Sequence, residues 1–381
     1  MKVLMVASWY GSRDAEVLSA GVFHYEQAMA LRKYCDMALY YPFDTTLPCE
    51  FSAQEERGLM TYRRRLRRSG IPKLEGIREI LRIVSDLRRI CADFRPDLIH
   101  AHCSVPAGRA AVVFGKLYHY PVVITEHNPM EMLHTENPWK RWQEGFTYRH
   151  SSANVCVSGD SMERLQRVFP DVDFQVIYNG ILDPKTVAAE GTRYAREGMI
   201  NCCIVGAFYD REVKGYQYLL PAIAKLRQEG VPVILHICGG GEYFDYYVRM
   251  AEELGIADAC VFYGSCSREK VYEIISQMDF GISSSIYECS GVSVEETQML
   301  GKPMLVTRSG GANSLVTEKT AIVVDRGSVE ALVEGIREMI RKRAEFDPTV
   351  IRQYAYDNFE IDQVSRHYLR LYRELTENES W

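Results

Sequence analysis

The chain has 381 residues, more than one hydrophobic core usually supports, and its 47% hydrophobic and 25% charged residues are typical of globular proteins. The net charge of −6 argues against a general nucleic-acid binder, because such proteins carry a basic excess. No apolar run reaches the roughly 18 residues that cross a bilayer, so we expect a cytoplasmic protein. The eleven cysteines contain no C-x-x-C pair, which indicates reduced core thiols.

Short apolar runs alternate with helix-length segments through the first half of the chain. They predict strands at Val3–Ala7, Leu98–Ala101, Val122–Thr125, Asn154–Val157 and Gln175–Ile177, and a helix at Gly21–Tyr34 after the first strand. This alternation is typical of a parallel sheet with helices on both faces. The weakly apolar stretch Leu182–Met199 is predicted to contain the linker between the two halves.

The alternation restarts after this linker. Strands are predicted at Cys202–Val205, Val233–Ile237, Cys260–Phe262, Phe280–Ile282, Met304–Val306 and Ile322–Val324. Helices are predicted at Tyr216–Gln228, Tyr243–Leu254, Arg268–Gln277, Val292–Leu300 and, with an apolar stripe, Asp362–Leu375. We therefore predict an α/β protein with two Rossmann-like domains and mostly parallel sheets, at residues 1–183 and 184–359.

The motif Y-E-C-S-G-V-S-V-E-E-T-Q-M-L-G-K-P, which begins at Tyr287, follows one of these strands. Glu288 lies in its loop and Glu296 in its helix. The helix start at Ser290–Val292 would present free N–H groups, which favour a diphosphate. The two oxygens of Glu296 suit the two hydroxyls of a ribose. Two glutamates eight residues apart also fit an ordinary surface helix, but the strand-loop-helix context favours a nucleotide site.

The motif resembles the Glu-x7-Glu signature of the retaining glycosyltransferases of family 4, which have the GT-B fold. Other segments resemble this family along nearly the whole chain: the first strand and its glycine loop, D-L-I-H-A-H from Asp97, I-T-E-H-N from Ile124, Y-N-G-I from Tyr178, V-G-A-F-Y-D-R-E-V-K-G from Val205, and Gly310–Gly311. The resemblance implies two facing domains, an acceptor domain first and a nucleotide-sugar domain second. It also implies that residues 360–381 cross back to the first domain.

The implied reaction moves a sugar from a nucleotide-diphosphate sugar to a hydroxyl acceptor with retention of anomeric configuration. The implied catalytic residues are His127, beside the transferred sugar, and Glu288, at the hydroxyls of the donor sugar. Glu296 would hold the ribose and Lys214 the diphosphate. The donor-binding set is Gly21, Lys214, Arg211, Glu288, Ser290, Gly291, Val292, Ser293 and Glu296.

The chain departs from the family pattern at two positions. Ala207 stands where the family has a phosphate-binding arginine, and Ala20 replaces the first glycine of the N-terminal loop. Arg211 is the candidate replacement for the missing guanidinium. Since a departing nucleoside diphosphate needs a cation and Lys214 supplies one, we expect neither a metal ion nor an organic cofactor.

The other histidines carry weaker predictions. His100 and His102 alternate along a strand end, and we expect them to point to opposite faces, one toward the cleft and one toward the core. A structural role is an equal alternative for either of them. His236, in the middle of a strand, is expected to be a core residue.

A basic stretch, R-R-R-L-R-R, comprises Arg63, Arg64, Arg65, Arg67 and Arg68. It fits either a solvated loop and helix face or a contact with an anionic membrane surface, which would place the protein at the inner face of the membrane. A lipid-linked acceptor and a role in cell-surface polysaccharide or glycolipid synthesis are then expected from the resemblance.

Other function classes fit the sequence less well. It lacks the G-x-G-x-x-G of a dehydrogenase after a strand and the G-x-x-x-x-G-K-[ST] of a P-loop enzyme. Two alternatives stay open: a sugar-nucleotide epimerase on a similar scaffold, and a nucleotide-binding partner subunit of a transferase complex.

Overall fold

The structure is a computed structural model, and it describes residues 1–11, 21–66, 72–128, 133, 136–184 and 192–377. The chain divides into two compact units, the first comprising Met1–Gly180 with Ile361–Trp381 and the second Ile181–Glu360. Each unit contains its own sheet and core. Within the described residues no helix is both long and apolar enough to cross a bilayer.

The first unit is built on a sheet with the strand order β3-β4-β2-β1-β5-β6-β7-β8. Its strands are β1 (Lys2–Val6), β2 (Asp36–Asp44), β3 (Phe51–Glu56), β4 (Leu59–Arg65), β5 (Leu98–His102), β6 (Val122–Glu126), β7 (Ala153–Cys156) and β8 (Gln175–Val176). The strands pair in parallel except for β3, which pairs antiparallel with β4. Its helices are α1 (Val22–Leu31), α2 (Pro72–Phe94), α3 (Arg109–Tyr118), α4 (Pro138–His150) and α5 (Gly159–Val168).

The second unit has a fully parallel sheet in its described part, with the order β11-β10-β9-β12-β13-β14. Its strands are β9 (Ile200–Val205), β10 (Val233–Cys238), β11 (Cys260–Gly264), β12 (Phe280–Ser283), β13 (Met304–Thr307) and β14 (Ala321–Val324). Its helices are α6 (Tyr216–Gln228), α7 (Phe244–Glu253), α8 (Arg268–Ser276), α9 (Val292–Met299), α10 (Val329–Lys342) and α11 (Pro348–Phe359). This is the strand order of a doubly wound nucleotide-binding fold, so the predicted fold class is confirmed.

The last helix, α12 (Ile361–Glu377), packs on the first unit. The Tyr372 hydroxyl lies 2.6 Å from His100 Nδ1, and the Tyr368 hydroxyl lies 3.1 Å from Thr125 Oγ1. Both tyrosines share a core cluster with Val3 on β1. The apolar stripe read from the sequence is therefore buried against the sheet of the first unit, and the predicted return of the chain is confirmed.

Three strands of the first unit, β2, β3 and β4, were not predicted from the sequence. Strand β4 contains most of the basic stretch, which was expected to form a loop or helix face. Arg63 is fully buried on this strand, with two guanidinium nitrogens on Glu56 and a third 2.7 Å from Asp44. These ion pairs satisfy the charge inside the unit, which is why a strand with adjacent arginines is stable there.

The prediction of a membrane contact is therefore wrong for Arg63 and stays a prediction for the rest of the basic stretch. Arg63 is buried, and Arg64 forms an ion pair with Asp86. Arg65 is exposed. Arg67 and Arg68 lie outside the described residues.

The cysteines agree with the expectation from the sequence. All eleven are free thiols, and only Cys49 is exposed. Burial raises the pKa of several of these thiols, for example that of Cys35 to about 11. They pack as small apolar side chains.

Candidate active site

The second unit brings Lys214 and Glu288 together at the point where its strand order reverses. Lys214 lies in the loop after β9, and Glu288 lies in the loop after the neighbouring strand β12. Lys214 Nζ is 2.6 Å from Glu288 Oε1, and the Ser285 hydroxyl donates to the same oxygen at 2.8 Å. Ligands of doubly wound sheets bind outside the carboxyl ends of the strands at this reversal, so the pair occupies the expected position for a nucleotide.

Backbone contacts hold the two loops side by side. The Ile286 N–H donates to the Val213 carbonyl at 2.8 Å, and the Ser284 hydroxyl donates to the Lys214 carbonyl at 2.8 Å. Gly215, which follows the lysine, has φ +70°, and a Cβ there would lie 1.9 Å from the Ser284 carbonyl oxygen. Only glycine allows this approach, so the K-G pair is required to bring the lysine to the glutamate.

The backbone of Glu288 is held by the turn that contains the paired glycines. The Glu288 N–H donates to the Ser309 carbonyl at 2.9 Å, and the Gly311 N–H donates to the Glu288 carbonyl at 2.9 Å. The Gly310–Gly311 turn therefore fixes the position from which the glutamate side chain reaches Lys214.

Glu296 lies on α9 and is almost fully buried. The Tyr272 hydroxyl donates to its Oε1 at 3.0 Å, and Arg268 Nε lies 3.4 Å from the same oxygen. Both partners come from α8, and neither was singled out from the sequence. They hold the carboxylate in one orientation, which suits a group that must meet two ribose hydroxyls.

The start of α9 is organised by a second buried carboxyl. Ser290 precedes the helix, and its hydroxyl lies 3.0 Å from Oε1 of the fully buried Glu295. The N–H groups of Gly291, Val292 and Ser293 belong to the first turn, where a helix leaves its donors without intrahelical partners. The sequence assigned the N–H groups of Ser290–Val292 to a diphosphate, and that assignment stays a prediction.

The carboxyl of Glu295 predicts a specific pH dependence of stability. Burial, followed by the charge of Glu296, raises its pKa to about 8. The folded state thus keeps a proton that the unfolded chain loses above the ordinary glutamate pKa of 4.5, so this group lowers the stability of the fold as the pH rises toward 8. We expect Glu295→Gln to reduce the loss of thermal stability between about pH 6.5 and 8, by up to about 1.4 kcal/mol per pH unit. Exposed Glu253→Gln, on α7, is the control, and equal slopes in both variants would contradict the prediction.

Arg211, the candidate replacement for the family arginine, is exposed on the loop after β9. Its guanidinium stacks over the Tyr246 ring, 4.3 Å from the centroid. It would have to leave this ring to donate to a phosphate. Its role at the diphosphate therefore stays a prediction.

In the first unit, Gly21 directly precedes α1. It has φ +66°, and a Cβ there would lie 2.3 Å from the Trp9 carbonyl oxygen. The glycine is thus required by the close approach of two backbone segments. Its predicted contact with the diphosphate is not tested by this geometry.

His127 belongs to a cluster of imidazole rings at the carboxyl ends of β5 and β6. His102 Nδ1 lies 2.8 Å from His127 Nε2, and the two rings stack with centroids 5.1 Å apart. His24, from α1, lies with its ring centroid 4.3 Å from that of His102. Burial lowers the pKa of His127 to about 3, so the ring is neutral at physiological pH.

The expectation that His100 and His102 point to opposite faces is wrong. Their ring centroids are 4.4 Å apart and both side chains are fully buried. Residues two apart on a strand share a face, so the alternation places both rings on the same side of the sheet. His100 meets α12, whereas His102 meets His127. His236 is buried on β10 as expected, with its Nδ1 2.9 Å from the Tyr263 hydroxyl.

His24 predicts an acid-sensitive step in the first unit. It is fully buried, and neither ring nitrogen has a hydrogen-bond partner. Burial, followed by the charges of His127 and His100, lowers the pKa of His24 well below 6.5. The stability that depends on the neutral ring is therefore fully present above pH 6.5 and is lost as the pH falls below it. We expect His24→Phe to stabilise the fold by about 1–3 kcal/mol at neutral pH and more in acid.

Thermal unfolding at several pH values measures this effect. Exposed His367→Phe is the matched control and is expected to leave the melting temperature unchanged. A His24→Phe variant that is no more stable than wild type at pH 5 would contradict the prediction.

Metal ligands do not cluster in the described part of the chain. No group of three or more His, Cys, Asp or Glu side chains in that part could hold a metal ion. One Asp-x-Asp triplet, Asp171–Asp173, does occur in the sequence, a pattern that often binds metal in sugar transferases. Asp171 forms an ion pair with Arg149 on α4. The expectation of metal independence stays a prediction.

Two sequence families match the chain. The model of glycosyltransferase family 4 matches residues 21–182, and that of the glycosyl transferases group 1 matches residues 200–357. Together they cover most of both structural units. The chain belongs to glycosyltransferase family 4.

Solved structures confirm the GT-B fold of this chain. Sucrose-phosphate synthase from Thermosynechococcus elongatus superposes with a TM-score of 0.78, at 17% sequence identity, over 99% of this chain and 100% of that one. A glycosyltransferase from Rickettsia africae superposes with a TM-score of 0.75, at 18% identity, over 99% of both chains.

A curated relative of this chain is the GDP-mannose-dependent alpha-(1-6)-phosphatidylinositol monomannoside mannosyltransferase of Mycolicibacterium smegmatis. It is 30% identical over 157 residues, which are 39% of this chain and 41% of the relative. The D-inositol 3-phosphate glycosyltransferase of Corynebacterium urealyticum is 28% identical over 49% of this chain and 47% of its own length. The chain thus matches less than half the length of these two relatives.

Proposed function

We propose that this chain transfers a sugar from a nucleotide-diphosphate sugar to a hydroxyl of an acceptor, with retention of anomeric configuration and without a metal ion. The observation that carries the proposal is the Lys214–Glu288 pair, 2.6 Å apart at the strand-order reversal of the second unit. A cation and a carboxylate held together there match a diphosphate and a sugar bearing several hydroxyls.

In the proposed reaction the bond from the anomeric carbon to the terminal phosphate oxygen breaks. A new bond forms from the same carbon to the acceptor oxygen, on the same face of the sugar. The acceptor proton passes to the departing phosphate oxygen, and a nucleoside diphosphate leaves. Lys214 and the first-turn N–H groups of α9 would stabilise the charge that develops on the leaving group. Glu296 would hold the ribose, and Glu288 the hydroxyls of the sugar.

The acceptor class is proposed from the names of the relatives. One acts on a phosphatidylinositol monomannoside, and another is named for D-inositol 3-phosphate. We therefore place this chain in glycolipid synthesis, with a polyol-bearing and lipid-linked acceptor. Cell-surface polysaccharide synthesis is the alternative setting for the same chemistry.

The test combines binding and product analysis. Thermal shift with UDP, GDP, ADP and their sugars identifies the donor, and NMR of the transferred product reports the anomeric configuration. We expect retention, and unchanged activity after EDTA treatment. An inverted product would contradict the retaining assignment, and loss of activity that Mg²⁺ or Mn²⁺ restores would contradict metal independence. Donor isomerisation without any acceptor would identify an epimerase instead.

Helix α2 offers a further surface for a lipid membrane, since Arg63 of β4 is buried. Ile77 and Leu81 are 60% and 63% exposed, one turn apart. The exposed Arg78 and Arg82 follow them. Apolar side chains next to arginines are typical of helices that lie on anionic bilayers, where each cation contributes about 1 kcal/mol.

Vesicle sedimentation with phosphatidylserine tests this membrane contact. We expect Ile77→Ser with Leu81→Ser to weaken binding at least about tenfold, because two apolar side chains no longer enter the interface. Leu117→Ser, at an equally exposed leucine on α3, is the control. Equal binding of both variants, or no binding of wild type at low salt, would contradict the proposal.

A further inference from the structure

A cavity of about 240 Å³ opens in the first unit beside the end of β6. It is lined by residues from the turn after β5, from the end of β6 and from helix α4, among them Ser104, Asn128 and Glu144. Pockets for drug-sized ligands hold roughly 300–1,000 Å³, so this one suits a single ring rather than an extended chain. The Glu126 side chain connects this lining to His127, because it accepts from the backbone N–H groups of His127 and of the lining residues Ser104 and Asn128.

Glu144 is the unusual group in this cavity. Its side chain lies on the buried face of α4 and is 5% exposed, yet its Oε2 has no hydrogen-bond partner. Ser104 Oγ is also buried, and it lies near the Tyr148 hydroxyl. Buried polar atoms without partners are rare in native proteins, and a ligand or an ordered water usually supplies the missing bond.

The neighbouring carboxylate, Glu126, has its bonds within the protein. It accepts from the backbone N–H groups of Ser104, His127 and Asn128 and from the Tyr148 hydroxyl. Its environment is therefore complete without a ligand. Glu144, in contrast, has hydrogen-bonding capacity that the surrounding side chains do not use.

The surroundings of Glu144 keep it protonated. Burial, followed by the charge of Glu126, raises its pKa to about 8, while Lys140 acts in the opposite direction. The guanidinium of Arg109, on α3, bonds the side chain of Gln143, the residue before Glu144, at 2.9 Å. At neutral pH the carboxyl therefore both donates and accepts a hydrogen bond, which is the pattern that an alcohol hydroxyl complements.

We propose that this cavity is the subsite for the hydroxyl-bearing ring of the acceptor, a hexose or a cyclic polyol such as inositol, and that Glu144 binds one of its hydroxyls. The inference rests on the proposed glycosyl transfer and deepens it by naming the acceptor class. A hydroxyl of such a ring satisfies Glu144 Oε2 and relieves the cost of its buried, unpartnered state. Its position beside His127 puts the ring next to the histidine assigned to the transferred sugar.

Ligand-observed NMR on the full chain, saturated with its nucleoside diphosphate, tests the subsite. The probes are myo-inositol, mannose, glucose and galactose. We expect one of them to bind, and Glu144→Ala to weaken its binding about tenfold or more because a buried hydrogen bond is lost. Glu144→Gln keeps a donor and an acceptor and is expected to bind within about threefold of wild type.

The pH profile separates hydrogen bonding by Glu144 from a general structural role. Wild-type affinity for the probe is expected to fall above about pH 8, where the carboxyl ionises and ceases to donate. Glu144→Gln is expected to show no such fall. Glu163→Gln, at an exposed position on α5, is the matched control and should behave as wild type.

Three results would overturn the subsite. The first is that Glu144→Ala binds the probes as wild type does. The second is that Glu144→Gln retains the wild-type pH profile. The third is that no probe binds although the nucleoside diphosphate does, which would leave the donor site and the proposed function standing. If no nucleoside diphosphate binds either, the proposed function fails and the subsite fails with it.

Discussion

Lys214→Ala is expected to lower kcat for sugar transfer by about 100- to 1,000-fold, the usual cost of removing one preorganised group from a developing charge. The Lys214 ammonium lies at the strand-order reversal, 2.6 Å from the Glu288 carboxylate. Negative charge on the diphosphate grows as the sugar departs, so the loss should appear in kcat more than in the KM for the donor. Steady-state kinetics with the identified nucleotide sugar measures both constants.

The matched control is Lys225→Ala, an exposed lysine on α6 of the same unit. It should leave kcat within about twofold of wild type, because surface substitutions away from a site cost little. Lys214→Arg keeps the charge and should recover part of the activity. A Lys214→Ala enzyme within tenfold of wild type would show that other groups hold the diphosphate.

Arg63→Met is expected to destabilise the first unit by about 3–5 kcal/mol, because it leaves buried carboxylates without their cation. The Arg63 guanidinium contacts both Asp44 and Glu56, and all three side chains are at most 5% exposed. Burial alone would raise the pKa of Asp44, but hydrogen bonds from Thr46 and Arg63 lower it below its ordinary value. Thermal or urea unfolding measures the loss.

Arg65→Met is the control on the same strand, since Arg65 is exposed. It should change stability by no more than about 0.5 kcal/mol. Adding Asp44→Asn and Glu56→Gln to Arg63→Met removes the uncompensated charges and should restore part of the stability. Equal stability of the Arg63→Met and Arg65→Met variants would contradict a structural role for this arginine.

Sequence patterns predicted many of the strands that contain an apolar run, although they missed β2 with its buried Met37–Tyr40. Strands β5 and β6, for example, are buried along their whole length and read directly from the sequence. The pattern failed where charge is neutralised by partners distant in sequence. Strand β4 carries Arg63 into the core only because Asp44 on β2 and Glu56 on β3 accept its bonds.

The candidate site was predicted only in part, again because several of its contacts join residues that are distant in sequence. The motif context singled out Lys214 and Glu288, but their direct contact joins residues 74 apart in sequence and depends on the order of the strands. Tyr272 and Arg268, which hold Glu296, lie on another helix and left no local signal. Glu144 did leave a local signal. It precedes the buried Thr147 by three residues and the buried Tyr148 by four, so the three side chains share the buried face of α4.

The central claim, that the second unit holds a nucleotide through Glu296, is tested most directly by comparing two ligands by calorimetry. These are the nucleoside diphosphate found in the donor screen and its 2′,3′-dideoxy analogue, which lacks the ribose hydroxyls. Wild type should bind the full nucleotide at least about tenfold more tightly, because a buried carboxylate loses its partners in the analogue. Glu296→Ala should bind both ligands equally, while Glu253→Ala should keep the wild-type preference. An undiminished preference in Glu296→Ala would contradict the account.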